Sequence, residues 1–429
     1  MQDKLTILGG NRLEGEVRVS GAKNSALPLL IATLLTPKQC EISNVPDLED
    51  IAVTLRLLRS FGAKFNFSGN NLTITTAEIT NDEAPYGLVK ALRASFWVLG
   101  PLLARFGSAR VALPGGDAIG TRPVDLHLQA LTQLGADIRL EHGVVIARAP
   151  GGLQPGKVHF DFPSVGATHQ VLMTAALIPG ETIVTGAARE PEIVELGEFL
   201  IQMGAEIEGL GTEKITINGK TKLNGATTEV LGDRIEAATY LVAAAVTKGA
   251  VKVTGIEPNA IMSTLDILRR AGCEIITSEK QIILKATSRL KAVSFETAPF
   301  PGVATDVQPI LLAALCVADG QSEVRENVFE NRFGHVAEYR RFGADISLDG
   351  RVAKVIGMES LGGAPADIGD IRAGAGLIIL GLVAEGETVL SEVHHLDRGY
   401  EALVERLTNL NAKIFRVPTF EAREIVFGC

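Results

Sequence analysis

Residues 202–209, QMGAEIEG, end a helix, stop it and start a strand, and the same pattern occurs five more times along the chain. The other copies are SFGAKFNF at 60–67, QLGADIRL at 133–140, RAGCEIIT at 270–277, RFGADISL at 341–348 and NLNAKIFR at 409–416. Their stop positions, 62, 135, 204, 272, 343 and 411, lie 73, 69, 68, 71 and 68 residues apart, so six units account for nearly all of the 429 residues. Common solenoid repeats have periods of roughly 20 to 50 residues. The longer period favours a compact arrangement around buried helices over an open array.

Each copy follows from local physics. Ahead of position 204, Ile193, Leu196, Leu200 and Met203 fall at helical intervals and make one buried stripe. Gly204 then stops the helix, because glycine takes the left-handed conformation readily; asparagine, found at 411, is the usual substitute. After the stop, apolar residues alternate, as in Phe65 and Phe67 or Ile138 and Leu140, and a turn such as Asp349-Gly350 predicts a hairpin. An earlier and more uniformly apolar helix precedes each of these segments. Examples are LLIATLL at 29–35, VLMTAALIPG at 171–180, ILLAALCVADG at 310–320 and LIILGLVAEG at 377–386, each followed by a strand. The predicted order is helix, strand, helix, strand, strand, six times over. Six units divide into three and three, and KLTILGGNRLEGEVRVSG at 4–21 supplies strands expected to complete a sheet of the C-terminal half.

The composition is 46% hydrophobic and 5% aromatic, enough for more than one core, and two domains are expected. The first ten residues carry Asp3 and Lys4 and lack the apolar region of a secretory signal. Runs such as Leu27 to Leu35 and Ile310 to Ala318 are shorter than the roughly 20 residues that span a bilayer, so a cytoplasmic protein without a membrane partner is expected. Cysteines 40, 273, 316 and 429 form no CxxC pair, and the seven histidines show no HExxH spacing, so neither a disulfide framework nor a metal or other cofactor is expected. His394 and His395, read as strand neighbours, would face opposite ways. A net charge of −9 argues against nucleic acid, and an anionic ligand would need its cations gathered locally.

Residues that the scaffold does not need are the candidates for chemistry. GAKNSALPLL places Lys23 and Asn24 at the start of a buried helix, where backbone amides and an ammonium can hold an anion; an ordinary cap by Asn24 or Ser25 is the competing explanation. LPGGDAIGTRPVDLHL at 113–128 has the composition of a closing loop, with Asp117 at its tip, Arg122 behind it and Asp125 opening a helix. It lacks the Gly-Lys-Ser/Thr ending of a P-loop. Asp306 precedes another buried helix, and Arg332, Arg372 and Arg398 occupy comparable places in successive units, which a repeat fold brings to one face. Arg93 and Trp97 lie in KALRASFWVLG; a lone tryptophan is more often core.

With these residues assembled, the chain resembles the UDP-N-acetylglucosamine 1-carboxyvinyltransferases. GAKNSALPLL, RASFWVLGPL, LPGG-x-x-IG-x-RPVDLH, SVGAT, AAREPEIV, ENRF and DRGYE occur in the family's order along essentially the whole chain. Enolpyruvylshikimate-phosphate synthases share the six-unit plan but not this set of strings. The resemblance implies an α/β fold of α+β repeats: a two-domain inside-out α/β barrel, with helices inside and sheets outside. The domains would be 22–231 and 1–21 plus 232–429. It implies phosphoenolpyruvate and UDP-N-acetylglucosamine as substrates. Lys23, Arg122 and Arg398 would hold the phosphate of phosphoenolpyruvate, Arg332 and Arg372 its carboxylate, with Asn24 beside the reacting centre. The nucleotide sugar would contact Arg93, Arg122, Pro123, Val124, Asp125, Leu126, Ser164, Val165, Gly166, Asp306 and Val328. Asp117, Lys23, Asp306 and Arg398 would be catalytic, with Asp306 as base or orienting group for the sugar hydroxyl.

The chain departs from the family at two positions. Most members carry cysteine at the loop tip, the target of fosfomycin, where this chain has Asp117, as a minority of the family does; Phe162 stands where lysine is frequent near the nucleotide. These two departures leave a non-catalytic nucleotide-sugar-binding paralogue, or a shikimate phosphate acceptor, as alternatives.

Overall fold

The computed structural model describes residues 3–115 and 124–418. Its helices fall into two series that alternate along the chain. The inner series is α1 (Lys23–Ala32), α3 (Leu99–Phe106), α5 (Val165–Ala175), α7 (Arg234–Val246), α9 (Gln308–Leu315) and α11 (Ile371–Val383). The outer series is α2 (Glu49–Ser60), α4 (Asp125–Gln133), α6 (Pro191–Gln202), α8 (Met262–Arg270), α10 (Val336–Arg341) and α12 (Leu403–Asn409). Inner helices are buried almost all round: every residue of α9 is buried, and so are Ile371–Leu382 of α11. Outer helices are amphipathic, as α8 illustrates with Thr264, Leu265, Ile267 and Leu268 inward and Arg269 and Arg270 in its last turn.

All six stop positions adopt positive φ: the five glycines range from 87° at Gly343 to 111° at Gly204, and Asn411 takes 76°. A β-carbon is strained in that region, so the stop rule read from sequence is a backbone requirement. Beyond each of the five stop glycines the chain forms the expected hairpin, as where Asp345–Asp349 pairs antiparallel with Val352–Ile356 around Gly350; the strand after Asn411, Lys413–Val417, pairs with Lys4–Leu8 instead. One element escaped the sequence reading. Each four-stranded sheet is flanked by a parallel strand; in one it is Glu14–Arg18, which the sequence did announce, and in the other four it is a strand of two or three residues that it did not: Lys157–His159, Thr227–Glu229, Phe295–Glu296 and Pro365–Asp367. In the three-stranded sheet of Ser108–Ala112, Val144–Arg148 and Asp137–Glu141 it shrinks to a single parallel bridge between Glu83 and Arg110. These strands are too short to show a periodicity of their own.

The N-terminal strands do join the C-terminal half. Lys4–Leu8 lies between Glu387–Ser391 and Lys413–Val417, in the position that the second hairpin strand fills in other units, and Glu14–Arg18 pairs with Ala250–Thr254. Thr227–Glu229 returns to pair with Cys40–Ser43 of the first unit. Two separate hydrophobic cores result. One runs from Ala26 to Val230; the other takes Leu5 to Val19 together with Ile235 to Ile414. Where the chain passes between them, Gly21 and Gly232 form an antiparallel bridge and Ala22 N donates to Leu231 O at 2.7 Å. Neither glycine has room for a β-carbon, which would meet Asn44 O at 1.8 Å or Gly255 O at 1.9 Å. Among the described residues no helix is long and apolar enough to cross a membrane.

Candidate active site

Several inner and outer helices point their N-termini into a cleft between the two cores, with a cavity of about 570 Å3. Lys23 and Asn24 are the first residues of α1, Asp125 the first of α4 and Val165 the first of α5; Arg372 is the second residue of α11. Exposed backbone amides and the positive end of the helix macrodipole make such termini favourable for anions. The start of α1 has no side-chain cap: Ala22 occupies that position, and Ser25 gives its hydroxyl to Glu195. Capping therefore does not account for Lys23 and Asn24. Ser164 does cap α5, accepting from Ala167 N at 3.3 Å, and Asp370 caps α11 through Arg372 N and Ala373 N.

Every described candidate lines this one cavity: Lys23, Asn24, Arg93, Val124, Asp125, Leu126, Ser164, Val165, Gly166, Asp306, Val328, Arg332, Arg372 and Arg398. Asp117, Arg122 and Pro123 lie outside the described residues. Two ion clusters line the cleft. In the first, Asp50, 2% exposed, receives Lys23 Nζ and Arg398 Nε, each at 3.0 Å. In the second, Asp306 lies 3.1 Å from Arg372 and 3.6 Å from Arg332. Burial pushes the Asp306 carboxyl up, but Arg372, Arg332 and Lys23 together outweigh it and hold the group well below the usual carboxylate range. Arg332 and Arg372 are 3% and 4% exposed, and among the described residues neither Nη2 of Arg332 nor Nη1 of Arg372 has a hydrogen-bond partner. Buried guanidinium donors are almost always satisfied, so these two fit an incoming acceptor.

The other side of the cleft is less charged. Trp97 is half-buried in its wall, donates from its indole nitrogen to Gly166 O at 2.9 Å and packs edge-on against His169, with ring centroids 4.9 Å apart. It thus pins the start of α5, and the expectation of a plain core residue is corrected. Burial takes His127 and His169 down to about 4, so both are neutral near pH 7 and act as hydrogen-bonding supports. Phe162 is 46% exposed on the cleft lining. His394 and His395 are not on a strand: they open a one-turn helix, His394–Asp397, with ring centroids 4.2 Å apart.

Three groups of this site were missed in the sequence. Asp50 lies in the first turn of the amphipathic helix α2, and nothing local marks it as the partner of Lys23 and Arg398. Glu190 and Glu192 sit in the AAREPEIV string, at the start of α6. Glu192 binds Arg234 Nε at 2.8 Å across the two halves, and burial raises the Glu190 carboxyl. The 298–302 segment also lines the cleft, and Phe300 O accepts from Arg189 at 3.1 Å.

Comparison with known proteins agrees with this geometry. Residues 7–407 match the EPSP synthase (3-phosphoshikimate 1-carboxyvinyltransferase) family. The UDP-N-acetylglucosamine 1-carboxyvinyltransferase of Geotalea uraniireducens is 49% identical over 415 residues, covering 97% of this chain and 99% of that protein. The protein of the same name from Azorhizobium caulinodans is 48% identical over 426 residues, with 97% and 99% covered. Among solved structures, the enolpyruvyl transferase NikO from Streptomyces tendae superposes with a TM-score of 0.88 at 28% identity, covering 98% of this chain and 100% of that one. EPSP synthase from Acinetobacter baumannii shares the fold, with a TM-score of 0.78 at 20% identity over 97% of this chain and 100% of its own. Six repeated units, a cleft walled by helix N-termini and near-half identity over the full length place this chain in the UDP-N-acetylglucosamine 1-carboxyvinyltransferase family of enolpyruvyl transferases.

Proposed function

We propose that this chain transfers the enolpyruvyl group of phosphoenolpyruvate to the 3-hydroxyl of UDP-N-acetylglucosamine and releases phosphate, in the cytoplasm, as the first committed step of peptidoglycan precursor synthesis. The observation that carries the reading is the pair of ion clusters in one cleft: Lys23 and Arg398 on Asp50, and Arg332 and Arg372 on Asp306, with Asp370 3.9 Å from Arg332. Arg332 and Arg372, each with one guanidinium nitrogen that makes no hydrogen bond among the described residues, take the substrate carboxylate; Lys23 and Arg398, joined by Arg122, take its phosphate. Arg93, Val124, Asp125, Leu126, Ser164, Val165, Gly166 and Val328 receive the nucleotide sugar, with Asn24 beside the reacting carbon.

In the addition step Asp117 gives a proton to the methylene carbon, the sugar 3-oxygen bonds to the carbon that bears the phosphate oxygen, and Asp306 takes the hydroxyl proton. In the elimination step the methyl group returns a proton and the carbon–oxygen bond to phosphate breaks, leaving charge that the Lys23 and Arg398 cluster stabilises. Asp306 is held strongly acidic by its arginines in the free protein. Sharing them with the substrate carboxylate loosens that hold and raises its basicity when the base is needed. We also propose that the two cores are the two domains, divided at 22–231 and 1–21 plus 232–429.

The direct test is phosphate release from phosphoenolpyruvate with UDP-N-acetylglucosamine as acceptor, against shikimate 3-phosphate in parallel. Release with the nucleotide sugar alone is expected. Release with the shikimate acceptor alone, or with neither, overturns the reading in favour of a different acceptor or a binding protein.

A further inference from the structure

Only one residue of the DRGYE segment, Arg398, has a role in the reading above, and the last, Glu401, is turned onto the other half of the molecule. Its Oε1 accepts from Asp47 N at 2.9 Å and Asn70 Nδ2 at 3.1 Å; its Oε2 accepts from Ser20 Oγ at 2.8 Å and Arg406 Nη2 at 3.0 Å. Asp47 immediately precedes Leu48, the N-cap of α2, and the first turn of α2 carries Asp50, the acceptor of Arg398 Nε. Two side chains three positions apart therefore grip the start of one helix from the opposite half. Ser20 adjoins the Gly21–Gly232 bridge, which puts the Glu401 grip at the crossing between halves and the Arg398 grip in the cleft.

The segment between the two grips lies outside regular helix and strand and is fixed by side chains: Tyr400 Oη bonds Thr239 Oγ1 at 2.8 Å, and its ring lies 5.6 Å from the Arg372 guanidinium. A carboxylate saturated by four donors is costly to remove, because charged hydrogen bonds are lost and their donors left unpaired. We propose that Glu401 is a positioning residue that sets Arg398 in the phosphate pocket by clasping the 398–401 loop to the start of α2. It touches no substrate, acts through Arg398, and presupposes the enolpyruvyl transfer reading.

The test is a double-mutant cycle of Glu401→Ala and Arg398→Ala, read as KM for phosphoenolpyruvate, KM for the nucleotide sugar, kcat and thermal midpoint, with enzyme raised until turnover of the slow variants is measurable. In the parent, Glu401→Ala raises KM for phosphoenolpyruvate about ten-fold and leaves that for the nucleotide sugar within about two-fold. In the Arg398→Ala background it adds no more than about two-fold. Glu401→Gln, which keeps acceptor capacity but not charge, falls between. Equal effects in both backgrounds, or a lowered thermal midpoint with unchanged KM, overturn the proposal. Hydrogen exchange of the ligand-free protein provides a readout independent of turnover: the amides at 47–50 and 398–400 exchange faster in Glu401→Ala, and unchanged exchange overturns the clasp. A parent that releases no phosphate while this exchange difference holds refutes the activity and leaves the clasp standing.

Discussion

Asp50 and Arg398, 348 residues apart, meet at 3.0 Å in the cleft, and the second carboxylate oxygen of Asp50 takes Lys23. The first half thus supplies an anion that gathers one cation from each half. Asp306 draws together Arg332 and Arg372, all three within the second half. In both clusters buried cations are met by carboxylates, which offsets part of the cost of their desolvation.

Removing Asp50 is therefore expected to hurt both stability and substrate binding. Breaking a buried pair from one side costs about 3–5 kcal/mol where desolvation is complete; a cleft wall is partly wet, so the lower end is expected for Asp50→Ala. The KM for phosphoenolpyruvate rises with it, because Lys23 and Arg398 lose their common anchor. Asp50→Asn keeps one acceptor and should do less damage. Thermal denaturation together with steady-state kinetics checks this, and a variant with parental midpoint and KM would contradict it.

Asp306 provides a pH test. Its carboxyl is held low by Arg372, Arg332 and Lys23, so it stays ionised through the neutral range and does not set an acid limb there. Arg332→Ala removes a cation and lets that pKa rise. The loss of kcat/KM on acidification should then begin at higher pH than in the parent. Asp306→Asn should lower kcat about 10²- to 10⁴-fold. A pH profile of Arg332→Ala that superposes on the parent would exclude this role.

Glu195 sits where α6 meets the start of α1 and the crossing segment, taking Ser25 Oγ and Leu231 N. Burial raises its carboxyl from 4.5 to about 8. The folded protein then binds a proton that the unfolded chain releases, so this group's stabilisation is complete below about pH 4.5 and is lost as pH rises toward about 8. Glu195→Gln should flatten that decline and raise the thermal midpoint at pH 8 relative to the parent. A parental decline in the Gln variant would assign it elsewhere.

The scaffold was legible because it repeats. Gly204 and Asn411 mark a backbone conformation, and a conformation imposed at six positions leaves a period in the sequence. The cations were legible in part, since Arg332, Arg372 and Arg398 recur at comparable places and the family strings ENRF and DRGYE contain the first and the last. Asp50 was not, because ion pairing across hundreds of residues leaves no local signature. The short parallel strands were missed for the opposite reason: three residues cannot display a period. Trp97 was misassigned because a helix-flanking aromatic reads the same whether it faces a core or a cleft.

Asp117, outside the described residues, carries the departure with the largest chemical consequence. A free aspartate titrates near 3.9 and a thiol near 8.5, so an aspartate acting as acid near neutrality must be raised by its surroundings. On the proposed function a bound trianionic substrate would supply that push, so Asp117 is expected to be competent only in the complex. Asp117→Asn should abolish transfer. Asp117→Cys should retain it, acquire fosfomycin sensitivity and hold its rate to higher pH than the parent; a fully active Asn variant would remove Asp117 from the proton path.

Phe162 offers the reverse experiment, restoring a charge that relatives often have. It is 46% exposed on the cleft lining, two residues before the Ser164 cap of α5, so a lysine there has solvent around it and room for its ammonium. An exposed pairing with a diphosphate is worth about 0.2–1 kcal/mol, which corresponds to a KM for the nucleotide sugar lowered by up to about five-fold in Phe162→Lys. The gain should shrink with added salt, since the Debye length falls from about 10 Å at 0.1 M to 3 Å at 1 M, and KM for phosphoenolpyruvate should hardly move. Unchanged KM for the nucleotide sugar at low salt would show that the diphosphate lies out of reach of this position.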